Sequence, residues 1–292
     1  MNNIMKHIFF FVFFIDFIFM QNFYLTAVEP PEFLSIINSE ESLKYKSYGP
    51  KIFEENEWFI VKDENIRAYQ NNKAVDLLNK NKFIEAEVIL KDLLKKTPHF
   101  IASRLNLGRL YLFQKDYEKA LFYFISAKNL FPKYGKIYYY LGKTYEKLQN
   151  INLALINYKL SYRYNIYDLQ ALACIGNLYI KQNNFTEAEN IFKIILKQDG
   201  TYNNGFIGMG ILNLKQKNYY KSLLYFYEVK THILYNKIFH FYFAEALTKQ
   251  KNYEKALEEY KIILKYKNEL ADYNLSENFI LKKIKHYKNK LK

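Results

Sequence analysis

Between Arg67 and Leu270 a small residue returns every 34 positions, as Ala74, Gly108, Gly142, Gly176, Gly210 and Ala244. A second set keeps the same interval: Ala86, Ala120, Ala154, Ala188, Ser222 and Ala256. Four residues beyond each of these stands a large one, Leu90, Phe124, Tyr158, Phe192, Phe226 or Tyr260. Six copies stand in one frame with no insertion or deletion, which leaves few folds open. Such a chain repeats one supersecondary unit, and a unit too small to bury its own apolar face must share a core with its neighbours.

Within each copy the apolar residues recur at intervals of three and four, as in Leu107, Leu110 and Tyr111 and then Leu121, Phe124 and Ile125. That spacing predicts two amphipathic helices per repeat. The small residues let the pair approach closely. Asp116, Asn150, Asn184, Asn218 and Asn252 stand between the helices as N-cap residues, and Asn184 with Glu187 reads as a capping box. The order Leu107-Gly108, Tyr111, Ala120, Phe124 and Pro132 resembles the tetratricopeptide repeat, and the resemblance covers about 70% of the chain. It implies an all-α, right-handed superhelical solenoid of six helix pairs with a C-terminal capping helix. The chain departs from that family at the turn inside each repeat. There Lys115, Gln149, Asn183, Lys217 and Lys251 replace the usual glycine, which weakens individual turns.

The repeats are expected at 67–100, 101–134, 135–168, 169–202, 203–236 and 237–270. Before them, residues 1–27 read as a signal peptide or N-terminal membrane anchor: Lys6 precedes an apolar run from Ile8 to Ile15. As a full span it would carry Asp16 at a cost of about 2.5–3.5 kcal/mol. The expectation is a bacterial exported protein, periplasmic or anchored with its repeats outside, and associated with a membrane through this segment. Residues 28–66 form an acidic, apolar linker or N-terminal cap, with clusters at Phe33 to Ile37 and Trp58 to Val61. Residues 271–292 are expected as a basic capping helix with Phe279, Ile280, Ile284, Tyr287 and Leu291 on one face.

No catalytic set can be assembled. Gly142-Lys143-Thr144 lacks the partner glycine of a phosphate loop, since position 137 is Ile137, and it lies inside an expected helix. Gly205, Gly208 and Gly210 have the wrong spacing for a dinucleotide loop, and no strand precedes them. The five histidines have no second ligand at helical spacing, and one cysteine, Cys174, excludes an internal disulfide. The chain is read as a non-enzyme with no cofactor and no metal.

What remains is a binding surface. The chain carries +14 overall, but residues 28–66 carry −5 and residues 67–292 carry +19. A basic solenoid favours an acidic peptide or protein partner. By resemblance to tetratricopeptide-repeat domains, inner positions of the first helices line a concave groove. Across the second to fourth repeats these are Asn106, Arg109, Lys136, Tyr139, Tyr140, Lys143, Asn177 and Lys181. Arg109 and Lys143 would pair acidic groups, so reversing both charges should remove binding with little loss of stability. A convex surface serving an envelope assembly or secretion complex is the second reading. An RNA-binding solenoid is the third, disfavoured by export. The acidic segment has two placements. In one, Trp58 and Phe59 cap the first repeat near Leu77 and Leu78; in the other, residues 54–57 lie in the groove near Arg109 and Lys143.

Overall fold

A computed structural model describes residues 52–55, 58–62, 65–230, 236–265 and 275–291. The expected signal or anchor at residues 1–27 and the cluster at Phe33 to Ile37 lie outside the described residues. Among those described, no helix is long and apolar enough to cross a membrane.

A short hairpin comes first: β1 (Ile52–Glu55) and β2 (Trp58–Val61). Thirteen helices follow among the described residues. Unit by unit they are α1 (Ile66–Asn79) with α2 (Phe83–Lys96), α3 (Ile101–Phe113) with α4 (Tyr117–Leu130), and α5 (Gly135–Lys147) with α6 (Ile151–Tyr164). Then come α7 (Leu169–Lys181) with α8 (Phe185–Gln198), α9 (Asn203–Lys215) with α10 (Tyr219–Lys230), and α11 (Lys237–Lys249) with α12 (Tyr253–Leu264). The last is α13 (Glu277–Lys290). The architecture is an all-α repeat solenoid. The described residues divide into two compact units, one up to Ala171 and one from Leu172. In each unit consecutive helices pack on one another, from α1 to α6 in the first and from α8 to α13 in the second.

The repeating small residues explain the pairing. A Cβ built on Gly108 would come within 2.6 Å of the Phe124 ring, on Gly142 within 2.7 Å of Tyr158, and on Gly210 within 2.5 Å of Phe226. Each ring is fully buried and seated on the bare backbone of its partner helix. The glycine-rich stretch of α9 is tightly packed. Gly208 sits so close to Phe192 of the preceding repeat that a Cβ would lie 2.0 Å from a ring carbon.

The turns between paired helices share one geometry. Asn81, Lys115, Gln149, Asn183, Lys217 and Lys251 all have φ between 58° and 65°. In each turn the next N–H reaches back five residues, Asp116 to the Tyr111 carbonyl at 2.9 Å and Asn150 to the Tyr145 carbonyl at 2.9 Å. This Schellman arrangement satisfies carbonyls the helix end leaves open and forces the residue before it into the left-handed region. Asp116, Asn150 and Asn252 then cap the second helix, accepting from Lys119, Leu153 and Lys255. The capping box expected at Asn184 does not form. Its side chain makes no cap bond, and the start of α8 rests on the backbone bond from Ala188 to the Asn184 carbonyl at 3.1 Å. Lys147, Lys181, Lys215 and Lys249 each end a first helix, where a cation complements the carbonyl end of the helix dipole.

At the C-terminus α13 packs on α12. Ile280 and Ile284 are buried, and Tyr287 stacks on Tyr253 at 5.4 Å and on Tyr260 at 6.2 Å. Phe279 and Leu291, expected on the same face, are exposed. The buried stripe is narrower than the sequence pattern, although the Phe279 ring lies 6.2 Å from that of Phe241.

A left-handed conformation costs a residue with a Cβ about 1–2 kcal/mol, and glycine gives back about half of this in unfolded-chain freedom. Lys115→Gly should therefore stabilise the protein by about 0.5–1 kcal/mol in chemical denaturation followed by circular dichroism. A loss of stability would show that the Lys115 side chain holds the turn.

Candidate partner-binding groove

The hairpin leads to the site. Its strands, Ile-Phe-Glu-Glu and Trp-Phe-Ile-Val, are short, and an isolated two-stranded hairpin is marginal in water. They pair antiparallel with Glu54 opposite Phe59 and Glu55 opposite Trp58. β1 covers one edge of β2, and the helices of the first unit supply the other.

That other edge is made of asparagine amides. The Phe59 N–H donates to Asn106 Oδ1 at 2.8 Å, and Asn106 Nδ2 donates back to the Phe59 carbonyl at 2.9 Å. The Val61 N–H donates to Asn72 Oδ1 at 3.0 Å, and Asn72 Nδ2 returns the bond to the Val61 carbonyl at 2.9 Å. Asn71 Nδ2 adds a bond to the Phe59 carbonyl at 2.8 Å. Two amides spaced along the groove thus act as a neighbouring strand would, bonding alternate residues of β2. Behind them Ser103 Oγ donates to Asn71 Oδ1 at 3.1 Å, so Asn71, Ser103 and Asn106 are fully buried and satisfied. A buried polar network is stabilising only in that condition.

The charged part lies one strand over. Glu54 Oε1 accepts from Arg109 Nη1 at 2.7 Å and from the Tyr140 hydroxyl, and Glu54 Oε2 faces Lys136 Nζ at 3.1 Å. Arg109 is a hub: its guanidinium carbon lies 5.4 Å from the Trp58 ring, 5.6 Å from Phe59 and 4.8 Å from Tyr140. Tyr140 is buried, stacked on Phe124 at 5.5 Å and meeting Phe59 edge-on at 5.7 Å. Burial opposes ionisation of Glu54, but Lys136, the Tyr140 hydroxyl and Arg109 outweigh it and hold the carboxyl below its ordinary 4.5. Beyond Lys136 lies Asp168, whose buried carboxyl is raised by burial against the pull of Lys136 and the Ala171 and Gln170 backbone N–H groups.

The structure thus gathers Asn106, Arg109, Lys136 and Tyr140 around residues 54–61. Tyr139 is a buried ring, 5.2 Å from Tyr140, with Lys136 Nζ 5.1 Å and Lys143 Nζ 5.6 Å from its centre. Asn177 and Lys181 are exposed on α7 and belong to the second unit. Of the two placements for the acidic segment, Glu54 is found beside Arg109 as the second expects, while β2 also packs on α1 of the first repeat as a cap would. The backbone of β2 is bonded to inner-face asparagines, and Glu54 is held by Arg109. For the same reason charge reversal at Arg109 is not neutral for stability, because that side chain is only 10% exposed and ties three rings to a carboxylate. Asn72 and Ser103 were missed from sequence, as was the pairing of β1 with β2. The available signal was two short apolar clusters, Ile52-Phe53 and Trp58 to Val61, on either side of a polar stretch.

No family model matches the chain. A curated relative, uncharacterized protein ycf37 of Guillardia theta, is 34% identical over 99 residues, 32% of this chain and 56% of the relative. The chain therefore spans about half the length of that relative. A tetratricopeptide repeat protein from Parabacteroides merdae is similar in structure at 23% identity and a TM-score of 0.57, over 76% of this chain and 92% of that one. PilW, described as a widely conserved type IV pilus biogenesis factor, aligns at 16% identity and a TM-score of 0.60, over 74% of this chain and 98% of its own. PilF of Pseudomonas aeruginosa aligns at 12% identity and 0.59, over 77% and 97%. These likenesses establish the fold: the chain has the tetratricopeptide-repeat architecture.

Two tests follow from the geometry. Asn106→Ala orphans the Phe59 N–H and should cost about 1–3 kcal/mol. The emission of Trp58, the chain's one tryptophan, should shift red as the hairpin loosens; unchanged emission and stability would contradict the docking. Because Glu54 is depressed when docked, its contribution is complete above 4.5 and is lost as pH falls through the lower docked value. The acid-side difference in Trp58 emission between wild type and Glu54→Gln should close in that window, and curves that stay parallel would exclude Glu54 as the anchor.

Proposed function

We propose that this protein is a non-enzymatic interaction scaffold, exported or membrane-anchored through residues 1–27, that binds a peptide or protein partner in the basic, tyrosine-lined groove of its first unit. The observation that carries this reading is the set of groups around residues 54–61. Asn72 and Asn106 bond main chain, while Arg109, Lys136 and Tyr140 converge on one carboxylate. Amides that bond backbone and a cationic site that takes a carboxylate are what recognition of an extended acidic segment requires. The apolar run at the N-terminus supports export.

A second reading has its own support. The groove already holds the hairpin, and Val88 and Phe122, equivalent positions 34 residues apart on the second helices of adjacent repeats, are 63% and 59% exposed. A subunit of an envelope assembly or secretion complex would use that outer face.

Photo-crosslinking residues placed at Lys143 and at Phe122 separate the two in the native host. Groove binding predicts adducts from Lys143, and outer-face assembly predicts them from Phe122. Adducts at neither position would overturn both readings. Export predicts that alkaline phosphatase fused after the chain is active only when residues 1–27 are present; activity without them would remove that part of the proposal.

A further inference from the structure

The bonds that hold β2 in the groove are of a particular kind. Asn72 and Asn106 each take both the N–H and the carbonyl of one residue, so they demand an extended backbone and no particular side chain. Selectivity comes from two places besides the Trp58 ring on Arg109. One is the Phe59 ring against Tyr140 and Arg109, and the other is the Glu54 carboxylate among Arg109, Lys136 and Tyr140. All of the ligand-side groups lie within residues 54–61, on two four-residue strands. The hairpin's apolar packing is one-sided: Trp58 and Phe59 are buried, while Phe53 is 45% exposed with Lys62 Nζ over its ring at 4.5 Å. Here much of the attachment is polar and charged, the part of an interface that sets specificity more than affinity.

We propose that the groove of the first three repeats is an exchangeable clamp whose resting occupant is the hairpin. On this proposal, which rests on the scaffold reading, the partner supplies in trans an extended segment with a carboxylate beside an aromatic ring. The occupant and the partner compete for the same asparagine edge and the same cationic site. Residues 62–65 join the hairpin directly to α1, so the occupant is present at high effective concentration, in the millimolar range for a short tether. A partner segment must exceed that threshold, and its apparent affinity falls by the fraction of molecules whose groove is open. The hairpin therefore sets a filter that passes only ligands matching both the ring and the carboxylate.

Trp58 is 9% exposed under the Arg109 guanidinium and reports occupancy directly. The probe is a synthetic peptide of residues 50–63 with phenylalanine in place of Trp58, so that all tryptophan emission comes from the full-length protein. Titration should produce a saturable red shift as Trp58 leaves the groove, with helical circular dichroism unchanged. In the Glu54→Gln protein the midpoint should fall about tenfold, because the occupant is weakened and the groove is intact. The same substitution in the peptide should raise the midpoint on wild-type protein about tenfold. No shift in either protein, or an equal shift with a scrambled peptide, overturns the clamp. Failure of the scaffold reading looks different. Adducts from Phe122 with no displacement leave a scaffold without exchange, whereas displacement with no adduct at either position removes the partner and with it the reading on which the proposal rests.

Discussion

In the second to fifth repeats the paired helices meet backbone to ring, and the rest of the structure depends on that contact. Gly108 against Phe124, Gly142 against Tyr158 and Gly210 against Phe226 bring paired helices so close that a single added carbon would collide. Interiors are packed to crystal-like density, so the same contact repeated at one interval forces one geometry on these four pairs. It fixes where the first helix of each repeat points its inner residues. Asn72, Asn106 and Tyr140 stand at the same position of successive repeats, and their spacing along the groove follows from it.

The groove then solves a problem for the hairpin. Two four-residue strands cannot hold together in water, and β2 would leave one edge open to pairing with other chains. Asparagine amides close that edge, and the fully buried set of Asn71, Ser103 and Asn106 leaves none of its own polar groups wanting. Glu54 adds a carboxylate that neutralises part of a cluster of like charges. Among the described residues, Glu54 of the acidic segment takes Arg109 and Lys136 of the basic repeats together.

The repeats were legible because their signal is local and periodic: small residue, small residue, large residue, six times over. The turns were less so. The absence of glycine suggested weak turns, yet Lys115, Gln149, Lys217 and Lys251 adopt the left-handed conformation because the hydrogen bonds around them require it. Asn184 and Glu187 matched a capping motif that the structure does not form. The inner-face residues could be placed from repeat position alone, whereas their occupant could not. The hairpin strands are too short to be strands by themselves and become so only against Asn72 and Asn106, contacts that span up to 47 residues. No pattern within the segment announces a partner so far along the chain.

Hydrogen exchange at the amides of Phe59 and Val61 bears most directly on this account. Both N–H groups are bonded only to asparagine side chains on the helices. They should be protected, with an opening free energy below that of the α3 core, because the proposed exchange opens the hairpin while the helices stay folded. Exchange at the rate of unstructured chain would contradict the docked hairpin and everything inferred from it.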